Sequence, residues 1–228
     1  MLPKVLVTRP LHQAEATAAR LRRDGLCEPV IAPLLKIVPL IWGLPEGRVQ
    51  AVLLTSANAV PALEVLPRSL PVYCVGTATA EAAKQAGFVA ENAAGDATAL
   101  CRLVQKKLNP GEGHLLHLSG QDVALDLAKE LGPAGFQVTR RIAYRAEAAT
   151  SLPEEKPDEK ADYALLYSPR TAEVLDRLAT KRGMALVCLS PAVAARAGTG
   201  WQRVVSATKP EEDSLLETLY SAIHSSCP

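Results

Sequence analysis

One phrase recurs along this chain every few dozen residues. An apolar strand runs out into a small hydroxyl residue or a glycine, and a helix begins. It appears as Val52-Leu53-Leu54-Thr55-Ser56, Val72-Tyr73-Cys74-Val75-Gly76-Thr77, Leu115-Leu116-His117-Leu118-Ser119-Gly120, Ala164-Leu165-Leu166-Tyr167-Ser168 and Ala185-Leu186-Val187-Cys188-Leu189-Ser190. The runs are continuously apolar rather than alternating, which suits strands buried on both faces of a parallel sheet. Strands that alternate with helices in this way make an α/β fold. Each copy is expected to leave unpaired helix N–H groups beyond the strand's carboxyl end. Such a terminus carries about half a positive charge and attracts anions. Five copies suit a ligand with many negative groups and do not require a basic protein.

The protein is not basic. Lys and Arg number 25 against 24 Asp and Glu, a net charge of +1. That balance leaves no electrostatic footprint for nucleic acid or for an acidic membrane surface. With two Phe and two Trp there is little material for stacking bases. Five cysteines, Cys27, Cys74, Cys101, Cys188 and Cys227, form no C-x-x-C and have no His or Cys at ligand spacing. A reduced protein without a metal centre is expected. Met1-Leu2-Pro3-Lys4 runs straight into a strand with no signal-peptide layout, and no apolar run approaches membrane length. The expected location is cytoplasmic.

Ten strands are expected: 5–8, 29–31, 51–55, 72–75, 88–91, 114–118, 138–144, 164–167, 185–189 and 203–207. Helical faces lie between them. Leu11, Ala14, Ala18 and Leu21 precede Gly25. Ala99, Leu100, Leu103 and Leu108 follow Asp96, whose side chain suits an N-cap. Leu125, Ala128 and Leu131 lead to Gly132, and Leu215, Leu216, Leu219 and Ile223 follow Asp213. Ten strands are many for one sheet in 228 residues, and two five-stranded units are more natural. Residues 32–40 and 140–149 read as connectors, and a polar, Pro-rich stretch follows at 153–160. Two strands precede the first connector and three follow the second. The count points to an outer domain of residues 1–35 and 146–228 with residues 36–145 inserted, although two tandem units also fit it.

The turns supply the candidate binding residues. Arg9, just past the first strand, reads equally as structure or as a contact to an acidic ligand. Thr55, Ser56, Ala57 and Asn58 offer a helix cap whose N–H groups remain available to carboxylates. Gly76 and Thr79 form a weak phosphate-loop candidate. That turn lacks the lysine of G-x-x-x-x-G-K-[ST] and the three-glycine dinucleotide spacing. Ser119, Gly120 and Gln121 repeat the theme, as do Ser168, Pro169 and Arg170, and finally Ser190. Arg170 reads either as a carboxylate contact or as a solvated surface residue. Open α/β sheets bind ligands at this end of their strands. No H-E-x-x-H, no G-x-S-x-G and no Ser–His–Asp arrangement is present. His117 reads as an interior or edge histidine with its hydrogen bonds satisfied.

Taken in order, these residues resemble the uroporphyrinogen-III synthase family. The matches are Val5-Leu6-Val7-Thr8-Arg9-Pro10, Pro33-Leu34 with Ile37, Thr55-Ser56-Ala57-Asn58-Ala59-Val60, and Val75-Gly76 with Thr79-Ala80. Leu118-Ser119-Gly120, Tyr144, Ser168-Pro169 and Leu189-Ser190-Pro191 complete the series. Each motif is loose, but the ordered set is specific and spans essentially the whole chain. One departure is Ser190-Pro191-Ala192-Val193-Ala194, where some members carry a second threonine turn.

The resemblance implies two flavodoxin-like, doubly wound parallel-sheet domains joined by a two-stranded connector. It implies a monomeric, cofactor-free lyase of porphyrin biosynthesis, acting on hydroxymethylbilane, a linear tetrapyrrole with eight carboxylates. Transient contact with hydroxymethylbilane synthase is part of the same expectation. In this chemistry the substrate loses its hydroxyl as water and becomes an azafulvene cation. The substituted carbon of the terminal ring attacks, and a spirocyclic intermediate forms, fragments and recloses with that ring inverted. The pyrroles supply the electrons, and the protein supplies conformation and help in hydroxide loss. Tyr144 is the catalytic candidate by resemblance, a connector tyrosine whose phenol can donate a hydrogen bond to the leaving hydroxyl. Two other readings stay open on the residues alone. One is a non-catalytic bilobal anion-binding protein, and the other is a nucleotide or sugar-phosphate enzyme.

Overall fold

The computed structural model describes residues 1–152, 161–179 and 183–225. The polar stretch at 153–160 and Cys227 lie outside the described residues. The chain divides into two compact units, one of Met1–Lys36 with Glu147–Pro228 and the other of Ile37–Ala146.

The first unit holds β1 (Lys4–Val7), β2 (Glu28–Ile31), β9 (Tyr163–Leu166), β10 (Ala185–Cys188) and β11 (Arg203–Ser206). Their order across the sheet is β2-β1-β9-β10-β11, and every neighbouring pair is parallel. Counted within the unit this is 2-1-3-4-5, the flavodoxin-like doubly wound order. The continuous apolar runs divide between its two faces. Val5, Val7, Leu165 and Val187 pack on one side, and Leu6, Leu166, Leu186 and Cys188 pack on the other.

The second unit has β3 (Leu35–Pro39), β4 (Val49–Leu54), β5 (Val72–Cys74), β6 (Ala90–Asn92), β7 (His114–Gly120) and β8 (Val138–Ala148). The sheet order is β3-β8-β7-β4-β5-β6. Strands β4 to β8 are parallel and run 3-2-1-4-5 when counted from β4, the second of the two doubly wound orders. Its faces divide the same way: Leu54, Val72 and Leu118 on one side, and Leu53, Tyr73 and Leu115 on the other.

Strands β3 and β8 carry the chain between the units. The Leu40 N–H donates to Ala143 O and the Ala149 N–H to Leu34 O, so this pair runs antiparallel. β3 is an eleventh strand, formed from the extended part of the first connector.

Helices α1 (Leu11–Asp24), α2 (Thr77–Gln85), α3 (Ala97–Lys107), α4 (Leu127–Leu131), α5 (Pro169–Leu178), α6 (Pro191–Ala194) and α7 (Glu212–Ser225) cover the sheets, with a 3₁₀ helix at Ala57–Val65. α1 stops where Gly25 takes the left-handed conformation at φ 70° and donates its N–H to Leu21 O. Asp96 caps α3 through the Ala99 N–H at 2.9 Å. The buried face of α3 is Leu100, Cys101 and Val104, which turns Leu103 and Leu108 toward its edge. No described helix is long and apolar enough to cross a membrane.

Candidate functional site at the strand carboxyl ends

In a doubly wound sheet the crossovers leave the central pair of strands toward opposite faces. This opens a crevice beyond their carboxyl ends. In the second unit that pair is β4 and β7, so Thr55-Ser56 and Ser119-Gly120 flank the crevice. In the first unit it is β1 and β9, flanked by Thr8-Arg9 and Tyr167-Ser168. Gly76 and Ser190 end the next strands out, β5 and β10.

Four of the five repeated phrases open a helix. The Ser56 hydroxyl accepts from the Asn58 N–H at 3.3 Å and starts the 3₁₀ helix that contains Ala57 and Asn58. Gly76 stands at the N-cap of α2, with Thr79 buried in the first turn. Its φ of −131° is extended backbone that any residue adopts, and a Cβ there would meet nothing within 4 Å. Neither the chain path nor packing within the unit requires glycine at this position.

Ser168 and Thr171 form a reciprocal cap on α5. The Thr171 N–H donates to Ser168 Oγ at 3.2 Å, and the Ser168 N–H donates to Thr171 Oγ1 at 3.1 Å. Pro169 takes the first helical position, where its missing N–H costs nothing. Ser168→Ala is expected to lower stability by about 1 kcal/mol, the usual value of such a cap, as read by urea unfolding. Arg170, next in α5, is exposed. Ser190 caps only the short α6, with Pro191 at the first position and no side-chain hydrogen bond.

The fifth phrase does not open a helix. β7 continues through Ser119 to Gly120, and α4 begins only at Leu127, capped by Asp126. The reason is Arg140 on the neighbouring strand β8. Its Nε donates to Ser119 Oγ at 2.8 Å, and its Nη2 donates to Gly120 O at 2.8 Å and to Gln121 O at 2.7 Å. Ser119 is 1% exposed and also donates its hydroxyl to Gly120 O. The polar groups that looked like anion donors therefore anchor an arginine inside the unit.

Arg9 is likewise engaged within its own unit. Its guanidinium lies 2.9 Å from Glu212 Oε1, reaches Gln13 Oε1 at 3.3 Å and stacks 4.4 Å over the Tyr167 ring. Glu212 also accepts from the Thr17 hydroxyl. The arrangement pins α1, β9 and α7 together and neutralises the arginine. Burial pushes the Tyr167 phenol up to about 12, helped by the Glu212 charge and opposed by Arg9. Thr17 and Arg9 lie close to that phenol, but its oxygen has no partner in hydrogen-bond geometry among the described residues.

Tyr144 sits on β8 where that strand passes the end of β7. The parallel register shifts there. Ser119 pairs with Ile142 but Gly120 pairs with Tyr144, which leaves Ala143 as the extra residue of a bulge. Bulges of this kind re-aim a side chain. The Tyr144 ring packs on the cluster containing Leu54, Ala59 and Leu118. Its hydroxyl has no hydrogen-bond partner among the described residues.

Two features were not legible in the sequence. Arg140 lacked any motif around it. His117 is 1% exposed, as an interior histidine should be, yet its Nε2 has no partner among the described residues. Burial, aided by the nearby Arg140 charge and opposed by Asp126, lowers its pKa to about 4. The Cys74 and Cys188 thiols are pushed up to about 12 by burial, which keeps both protonated and unreactive. Among the described residues no three His, Cys, Asp or Glu side chains gather as metal ligands.

A search of curated proteins returned no match. The uroporphyrinogen-III synthetase of Helicobacter pylori is similar in fold, with a TM-score of 0.65 at 17% identity over 97% of this chain and 100% of that one. A mutant uroporphyrinogen III synthase from the extremely thermophilic bacterium Thermus thermophilus aligns over 98% of this chain and 99% of that one, at 17% identity and a TM-score of 0.49. The family profile described as uroporphyrinogen-III synthase HemD matches residues 15–217. With that match extending over most of its length, the chain belongs to the uroporphyrinogen-III synthase family.

Proposed function

We propose that this chain closes hydroxymethylbilane to uroporphyrinogen III chiefly by positioning, with Tyr144 as the one side chain that assists bond breaking. The family match over residues 15–217 carries the reaction. The role of Tyr144 is supported by its hydroxyl, which no described protein group engages although the ring is held on a packed core. A phenol so placed can donate to the departing hydroxyl as the azafulvene cation forms. The ring inversion then follows from the conformer in which the bilane is held. Holding the reacting carbons near attack distance is worth on the order of several kcal/mol.

The helix starts at Ser56 and Gly76 in one unit, and at Ser168 in the other, supply backbone N–H groups for the substrate carboxylates. Thr55, Ala57, Asn58, Thr79, Pro169 and Arg170 line those starts, and Ser190 contributes backbone alone. Ser119, Gly120, Gln121 and Arg9 support the site from within their units. The protein works as a monomer in the cytoplasm, in transient contact with the enzyme that makes its unstable substrate.

Supplied with enzymatically generated hydroxymethylbilane, the protein is expected to yield the type III isomer. Type I alone, the product of spontaneous closure, would overturn the reading. Gly76→Leu is expected to lower the melting temperature by no more than about 4 °C, because a Cβ there meets nothing within 4 Å and the poorer N-cap costs about 1 kcal/mol. The same change should raise KM by about tenfold or more, since its bulk fills the approach to the α2 N-terminus. An unchanged KM would remove Gly76 from the binding surface.

A further inference from the structure

We propose that Gly120 is a positioning residue for the reaction. The absence of a side chain at this position, secured by Arg140, forms the seat that aims the Tyr144 phenol. The inference rests on the reading of Tyr144 given above.

Glycine at 120 has no backbone cause. Its φ is not among the positive values that favour glycine elsewhere in the chain, such as Gly87 at 86° or Gly113 at 137°. The constraint is steric and comes from one residue. A Cβ added at 120 would lie 2.8 Å from both Tyr144 Cε2 and Cζ, and 3.0 Å from the Tyr144 hydroxyl. Ordinary carbon contacts are about 3.5–4.0 Å. The ring therefore rests directly on the Gly120 backbone, at the carbon that bears the phenol oxygen.

The seat is itself held. Gly120 is the last residue of β7, where a strand end would ordinarily fray. Arg140 prevents this by binding the side chain before it and the two carbonyls at and after it, at 2.7–2.8 Å. The bulge at Ala143 brings Tyr144, rather than its neighbour, opposite Gly120. Ser119, Gly120, Arg140 and Tyr144 thus form one assembly inside the second unit. The part of the sequence phrase that failed as a helix start has a different use here, as the floor under the phenol.

The test is a double-mutant cycle on turnover with hydroxymethylbilane. Gly120→Ala should displace the ring by about 1 Å, a misplacement that can cost as much as 100-fold in rate. The expected result is a loss of kcat of about tenfold or more in the parent, with KM changed by less than about threefold. In a Tyr144→Phe background the same change should cost less than about twofold, because no hydroxyl remains to misplace. Arg140→Gln, which loosens the seat without adding bulk, should show the same dependence on the hydroxyl, and it keeps the test open if Gly120→Ala folds poorly. Equal losses in both backgrounds would overturn the seat, as would no loss in the parent. Parent-level turnover in Tyr144→Phe alone would instead overturn the reading of Tyr144, and with it the catalytic consequence of the seat.

Discussion

Tyr144→Phe is expected to lower kcat by roughly 10- to 100-fold while leaving KM and folding stability nearly unchanged. The magnitude follows from what the hydroxyl can do. It offers one hydrogen bond to a leaving hydroxide, and the pyrrole nitrogens do the rest of the pushing. Losing a donor used only in the transition state acts on kcat rather than on KM. A 10- to 100-fold loss corresponds to about 1.4–2.7 kcal/mol. Stability should hold because the hydroxyl has no protein partner among the described residues and phenylalanine keeps the ring on Gly120. A second readout comes from the competing chemistry. When enzymatic closure slows, free bilane has more time to close without inversion, so the type I fraction of the product should rise. The measurement is initial rate and isomer ratio at saturating substrate. Parent turnover with pure type III product would show that the phenol does no chemical work.

The strands were legible because each is a short apolar run, and a strand covered on both faces needs nothing more. All ten expected strands form, within a few residues of their expected ends. β3 emerged from the extended Leu35–Pro39 piece of a connector, where a partner strand turns an isolated extended segment into sheet. Caps read from local sequence, such as Asp96 and Ser168, also form, since a cap needs only neighbours three residues away.

What stayed hidden shares a cause. Ser119 looked like another cap, but its partner is Arg140, which lies 21 residues on and adjacent only through parallel strand pairing. Arg9 read equally as structure or as a ligand contact, and its pairing with Glu212 from the last helix was not visible locally. Strand order was equally hidden, because crossovers of similar length serve both the 2-1-3-4-5 and the 3-2-1-4-5 arrangements. A charged or hydroxyl side chain at a strand end has both a ligand-binding and a structural reading. Only the long-range contact decides between them.

The burial of His117, with the nearby Arg140 charge adding to it, gives the protein a pH dependence that can be read separately from catalysis. His117 is buried beside that arginine with Nε2 unpartnered, so the folded state holds the imidazole neutral down to about pH 4. The unfolded chain takes up that proton near the ordinary value of about 6.5. Between these values the unfolded state binds more protons, so stability rises with pH there and falls as the medium is acidified. Nothing is lost above about pH 6.5, and the loss reaches about 3 kcal/mol by pH 4. That is a large share of an ordinary domain's stability of about 5–15 kcal/mol. Asp126 faces the same histidine, and its charge opposes the effect. His117→Leu removes the titrating group and fills the space with apolar atoms. The expected result is that the stability difference between parent and variant shifts by about 2.5 kcal/mol in the variant's favour from pH 7.5 to pH 4.5. Urea unfolding followed by Trp42 fluorescence, in a Trp201→Phe background, reports on the unit that contains His117. A difference that stays constant across that range would mean His117 is already protonated, or already solvated, in the folded protein.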